Sequence, residues 1–310
     1  MQVHRNSEKL PYFKLAVITI GTFDGVHTGH QQIIHQLKEE AGKCHGETVI
    51  ITFDPHPRKI VHGATKEIKL INTLDEKIEL LEKSGIDHLV VIPFTEAFSQ
   101  MSAEEYIDEF LIRRFNPHTI IIGYDHRFGK GRTGNYELME KMSTVFSYVL
   151  CEIPVHLLNA ISVSSTRIRE AISTADIETA NDLLGYSFFF SGVVVEGNKL
   201  GRTIGYPTAN LNVANPEKLI PGNGVYAVEI GLEGSIERFR GMMNIGVRPT
   251  VDGSRRVIEV NLFHFDQSIY GKHLRVSVRK HLREEIKFSG LDALKAQLAE
   301  DARHAQQVLS

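Results

Sequence analysis

The chain switches periodicity once, near residue 184, and that switch restricts the folds open to it. From "LAVITI" (15–20) onward, the short β-branched runs "TVIITF", "HLVVIPF" and "TIIIGYD" alternate with helix-period segments, the pattern of a parallel sheet with helices packed on its faces. The helical segments are "HQQIIHQLKEEA", with Ile33, Ile34 and Leu37 at helical spacing, "LDEKIELLEKSG", closed by Gly85, and "SAEEYIDEFLIRRF", opened by a capping box of Ser102 and Glu105. Each strand of such a sheet delivers a loop to one edge, where open α/β sheets bind their ligands. Past Leu184 no convincing helix returns until "LDALKAQLAEDARHAQQVL". The interval holds "FFFSGVVVEG", "GVYAVEIGL", "RFRGMMNIGV", "VIEVNLFHF" and "LRVSVRKHL", separated by Gly, Pro and Asn, which predicts a small barrel or sandwich. The boundary falls at Gly185, giving domains 1–184 and 185–310.

Two domains also suit the length of 310 residues. Apolar residues make up 42%, charged residues 24%, and the formal net charge is −3, so nothing in the composition points to nucleic acid. Cys44 and Cys151 are the only cysteines, too few for a disulfide framework or a cysteine zinc site. The stretch "MQVHRNSEKLPYF" lacks the apolar core of a signal peptide, and no run approaches the roughly 20 apolar residues of a membrane helix. The expectation is a cytoplasmic protein with no membrane or nucleic-acid partner. A homo-oligomer is left open.

Between the first strand and the first helix lies "GTFDGVHTGH" (21–30). Glycines and an aspartate there leave backbone N–H groups at a helix N-terminus, which favours a phosphate. The loop is neither the dinucleotide fingerprint nor a P-loop. His27 and His30 offer two imidazole donors to a phosphoryl group; a metal shared between them is the weaker alternative, because no third ligand stands at helical spacing. A plain turn with solvent-facing histidines is the remaining alternative.

Five motifs carry a resemblance. "GTFDGVHTGH" resembles the signature of nucleotidyltransferases that attack the α-phosphate of ATP, while "IIGYDHRFGKGRTGN" and "ISVSSTRIRE" resemble two further segments of bacterial FAD synthetases. "GNKLGRTIGYPTANL" (197–211) and "RRVIEVNLFHFDQSIYGKHLRV" resemble riboflavin kinases. The whole chain, over about residues 15 to 308, is thus similar to the bifunctional riboflavin kinase/FMN adenylyltransferases.

The resemblance implies a Rossmann-like α/β nucleotidyltransferase domain followed by a small antiparallel β-barrel with a C-terminal helix. It implies riboflavin, FMN and ATP as substrates, FAD as product and Mg²⁺ as cofactor. His27, His30 and Glu259 take the catalytic roles, Glu259 accepting the riboflavin hydroxyl proton. Nucleotide and flavin contacts are implied for Gly21, Phe23, Asp24, Gly25, Asp54, Asp125, Arg127, Ser164, Ser165, Thr166 and Arg169 in the first domain, with Ser164 opening a late helix. In the second they are implied for Gly201, Arg202, Gly205, Pro207 and Arg248, with Thr208 and Asn210 holding Mg²⁺ beside ATP. Two positions depart from the pattern: His126 replaces a phenylalanine and Asn261 a histidine. A variant reading keeps only one half-reaction active, the other domain serving as a flavin- or nucleotide-binding module.

Overall fold

The computed structural model describes the backbone of residues 1–5, 8–61, 68–197, 200–250 and 253–310, and their side chains except at 156–164, 200, 249–250 and 253–255. The chain divides into two compact units, Met1–Ser165 and Thr166–Ser310. Among the described residues no helix is long and apolar enough to cross a membrane.

The first unit is built on six strands: β1 (Gln2–His4), β2 (Val17–Ile20), β3 (Thr48–Asp54), β4 (His88–Pro93), β5 (Thr119–Gly123) and β6 (Val149–Ile153). They form one parallel sheet in the order β1-β4-β3-β2-β5-β6. Side chains alternate between two cores, as a pleated strand covered on both faces requires. Val17, Ile50, Leu89 and Ile121 pack with Ile33, Ile34 and Leu37 of the helix Thr28–Cys44. Ile18, Ile51, Val90 and Ile120 face the opposite way, onto Phe110 and Phe115.

The four central strands are the ones the β-branched runs predict; the edge strands β1 and β6 are additional. From β2 the chain winds outward through β3 and β4, then returns to place β5 and β6 on the other flank. The loop leaving β2 therefore emerges at the point where strand order reverses, where open sheets hold ligands.

A capping box opens the Ser102 segment as expected, and a second one, not expected, opens the helix Leu74–Lys83. Ser102 Oγ accepts from Glu105 N at 3.1 Å and the Glu105 carboxylate accepts from Ser102 N at 2.7 Å; Thr73 and Glu76 do the same for the helix Leu74–Lys83. One expectation fails. The "SSTRIRE" segment does not open a helix, because the helix runs from Val155 to Ser173. "VHLLNAISV" carries no Pro or Gly to interrupt it, so the helix extends back to Pro154, which cannot continue an N–H ladder.

The second unit contains a closed barrel of six antiparallel strands: β7 (Phe189–Val195), β8 (Ala209–Asn212), β9 (Gly224–Leu232), β10 (Arg238–Thr250), β11 (Gly253–Leu262) and β12 (His273–Arg283). The barrel order is β10-β11-β8-β7-β12-β9, and pairing of β9 with β10 closes it, which removes every free edge. The C-terminal helix Leu291–Leu309 lays Ala305 and Leu309 against Ala227 and Met242.

Candidate active sites

In the first unit the loop after β2 is held tightly. Gly21 N–H still belongs to the sheet, donating to Ile51 O at 3.0 Å, so it is not available to an anion. Beyond it, Phe23 and Val26 take φ of 47° and 39°, and Gly25 takes 92°. Left-handed backbone at a β-branched valine costs free energy; both side chains are buried, and their packing in the core fixes the turn.

His27 ends this turn as the N-cap of the helix Thr28–Cys44. Its Nδ1 accepts from His30 N at 3.4 Å, and its Nε2 lies 2.9 Å from Ser165 Oγ. The His27 and His30 rings stack with centroids 3.8 Å apart, and Phe23 lies on His30 at 4.9 Å. His27 is fully buried and His30 nearly so. Burial, then the neighbouring His27 and Lys77, push the His30 pKa well below the ordinary 6.5, so the ring is neutral near pH 7. His30 Nδ1 is buried with no hydrogen-bond partner among the described residues.

Asp24 is turned inward. Its carboxylate accepts from Ile71 N at 3.3 Å and Asn72 N at 3.1 Å, so it ties the loop to the segment before the helix Leu74–Lys83. Lys77 of that helix donates from Nζ to Thr22 O at 2.7 Å and to Thr52 Oγ1 at 3.4 Å. Asp54, at the end of β3, is exposed.

Asp125 is exposed in the loop after β5, and Arg127 folds back on that loop, donating to the carbonyls of Tyr124 and His126. His126 stacks on Phe128 at 5.6 Å, its Nε2 buried without a partner among the described residues. It therefore packs as an aromatic ring, which accounts for a histidine where the resemblance expects phenylalanine. Ser165 meets His27; the side chain of Ser164 lies outside the described residues. Thr166 is exposed and Arg169 half-buried; both lie in the second unit.

The barrel unit holds a cavity of about 540 Å³, lined in part by Gly201, Thr208, Arg248, Glu259 and Asn261. Asn210 of β8 stands directly opposite Glu259 of β11 in the register. The Arg248 guanidinium lies 3.5 Å from the carboxylates of both Glu259 and Glu285. Asn261 donates from Nδ2 to Pro207 O at 2.7 Å, fixing the turn before Thr208. A Cβ on Gly201 would collide with the Tyr206 backbone carbonyl, so glycine is needed there for close approach, while one on Gly197 would crowd the Asn210 side-chain amide. Gly205 has φ of 88°. Arg202 is exposed and, with Gly205, Pro207 and Asn210, does not line the cavity.

Thr208 and Asn210 are neutral oxygen donors of the kind that share Mg²⁺ with nucleotide phosphates. Among the described residues no group of three or more His, Cys, Asp or Glu side chains is gathered to hold a metal by itself.

Residues 11–167 match the family model described as FAD synthetase, and residues 184–309 match that described as riboflavin kinase. The chain is 37% identical over 289 residues to the "Bifunctional riboflavin kinase/FMN adenylyltransferase" of Haemophilus influenzae, covering 93% of this chain and 92% of that protein. It is 36% identical to the Escherichia coli K12 protein of the same name, covering 94% and 92%. The chain belongs to the bifunctional riboflavin kinase/FMN adenylyltransferase family. A crystal structure described as "Macrolide-efflux Protein from Streptococcus pneumoniae" is 30% identical with a TM-score of 0.85, covering 97% of this chain and 96% of that one.

For a member of the riboflavin kinase/FMN adenylyltransferase family, the motifs leave several site residues unannounced. Lys77 reads as a charge on a solvated helix face, and only its place between Leu74 and Leu81 on the apolar stripe signals burial. Glu285 and the Arg283–Asp301 pair, at 2.6 Å, also line the barrel cavity; Arg283 and Glu285 lie in "REEIKFSGLDAL", which resembles a family segment but assigns neither a role.

Proposed function

We propose that residues 185–310 phosphorylate riboflavin with ATP to give FMN, and that residues 1–184 join FMN to AMP from a second ATP to give FAD and pyrophosphate. The observation that carries the first step is the placing of Glu259 opposite Asn210 in one barrel wall, with Thr208 and Arg248 around the same cavity. A carboxylate within reach of the riboflavin hydroxyl accepts its proton as the oxygen attacks the γ-phosphorus, and ADP leaves. Thr208 and Asn210 would hold Mg²⁺ carried by ATP, and the ion would neutralise phosphate charge. Gly201 lets the backbone approach the nucleotide, with Arg202, Gly205 and Pro207 shaping the same loop.

In the second step an FMN phosphate oxygen attacks the α-phosphorus of ATP, and the bond to pyrophosphate breaks. No protein nucleophile takes part. His27 and His30 hydrogen-bond the phosphates as charge builds on them, with Ser165 holding His27 in place. Ser164, Thr166 and Arg169 contact the triphosphate. Asp54, Asp125 and Arg127 border the nucleotide and flavin. We assign the chain to the cytoplasm.

Incubating the protein with riboflavin, ATP and Mg²⁺ and resolving flavins over time tests this reading. FMN should appear first and FAD after it. A protein that yields only FMN, or converts FMN to FAD but leaves riboflavin untouched, has one working domain.

A further inference from the structure

The helix Leu74–Lys83 contributes no residue to the motifs of the adenylyltransferase domain, yet it buries an ammonium group against the loop that carries His27. Lys77 is 7% exposed. Burying a lysine costs several kcal/mol unless its three donors are met. Its Nζ donates to Thr22 O at 2.7 Å and Thr52 Oγ1 at 3.4 Å, and the carboxylates of Asp24 and Asp54 offset part of the remaining cost. Thr52 Oγ1 donates to the same Thr22 carbonyl at 3.2 Å. A methionine of similar length would fill this space at no electrostatic cost, so packing alone does not account for a charged residue here.

We infer that Lys77 is a positioning residue for adenylyl transfer: it fixes the Gly21–Gly25 turn through the Thr22 carbonyl and places its ammonium group beside His30. The inference rests on the adenylyltransferase reading above. With Thr22 O drawn inward to two donors, the turn holds its left-handed residues and presents His27 and His30 in one orientation. The same charge opposes a proton on His30, acting with burial and with His27. His30 Nδ1 is buried with no hydrogen-bond partner among the described residues, so Nε2 is the ring atom left to meet a phosphate. The groups that face this pair are His27 and Phe23 on the loop, Asp24 beside them and Asp54 at the end of β3. A fixed cation supplies charge to the phosphates while the imidazole stays a neutral donor.

The test is Lys77→Met in the full-length protein, read by FAD formation from FMN, by riboflavin phosphorylation and by NMR titration of the His30 ring, assigned from a His30→Gln sample. FAD formation should fall about a hundredfold, the scale of a misplaced catalytic group. Riboflavin phosphorylation should hold, and His30 should titrate at higher pH than in the unmodified protein. Lys77→Arg, which keeps the charge, should leave the His30 titration low. FAD formation within about twofold of the unmodified protein, or a His30 titration unmoved by Lys77→Met, overturns the inference. Should Lys77→Met fail to fold, Lys77→Gln, which keeps a donor for the Thr22 carbonyl and removes the charge, decides: a His30 titration raised above that of the unmodified protein together with slowed FAD formation upholds the inference, and a His30 titration left unmoved refutes it. An unmodified protein that makes no FAD refutes the adenylyltransferase reading instead.

Discussion

His27 and Ser165 stand 138 positions apart in the sequence and meet at 2.9 Å, imidazole Nε2 to hydroxyl oxygen. The contact joins the first ligand loop to the late helix and leaves His27 with both ring nitrogens engaged. Nε2 meets a phosphate only by giving up Ser165 Oγ, and on that exchange His27→Ala should lower FAD formation by about 100- to 1,000-fold, the scale for losing one transition-state donor. Ser165→Ala should cost less, about tenfold, because it removes the support and not the donor. Riboflavin phosphorylation, assayed separately, should be unchanged in both.

Glu259→Gln should show the opposite division. Removing a general base lowers a proton-dependent transfer by about 100- to 10,000-fold, so FMN formation should stop while FMN supplied from outside is still converted to FAD. Arg248 touches both Glu259 and Glu285, so Arg248→Leu frees both carboxylates and should raise the KM for riboflavin or ATP. A variant of either residue that weakens both half-reactions alike would refute the separation of the two sites.

Asn261 is 6% exposed and spends its amide on the Pro207 carbonyl. Asn261→Ala leaves that carbonyl without its partner, at a cost of about 1–3 kcal/mol. The expected result is a lower melting temperature of the barrel and a raised KM for Mg·ATP in FMN formation, with FAD formation unaffected. Thermal melts paired with the two separate assays check this.

Burial pushes the His126 pKa down to about 4 from the ordinary 6.5. Above pH 6.5 the ring is neutral in the folded and unfolded chains alike. Between pH 6.5 and about 4 only the unfolded chain takes up the proton, so stability falls as pH falls through that window. The loss reaches roughly 2–4 kcal/mol at its lower end. His126→Phe should abolish this part of the acid sensitivity, seen as a flatter dependence of the first unit's melting temperature on pH.

What the sequence made legible was whatever repeats with a period or carries a signature. β2 to β5 were readable because their β-branched runs are buried on both faces, and the capping boxes because Ser102 with Glu105 satisfies two N–H groups reciprocally. β1 was not readable: three residues, "QVH", carry no period, and they join β4 by a parallel backbone ladder to a strand more than 80 positions away, with His4 also meeting His88 at 3.1 Å. β8 was hidden inside a Gly/Pro-rich motif whose letters suggest a loop. Of the residues around the first loop, Asp24 accepts from two backbone N–H groups and Lys77 is buried beside it, and no local pattern in the sequence announces either arrangement. One reason covers both. Tertiary burial, and not local pattern, decides where a charged side chain points.

The placing of Asn210 has a consequence for how the barrel responds to its substrate. Asn210 pairs with Val195 on one side and Glu259 on the other, so the nucleotide motif is itself a stave of the closed sheet. Opening the barrel and dismantling the nucleotide seat are then one event, and ligand occupancy and domain cohesion are thermodynamically linked. A cell rich in Mg·ATP would hold this domain shut by mass action, and one depleted of it would leave the same domain more exposed to proteolysis.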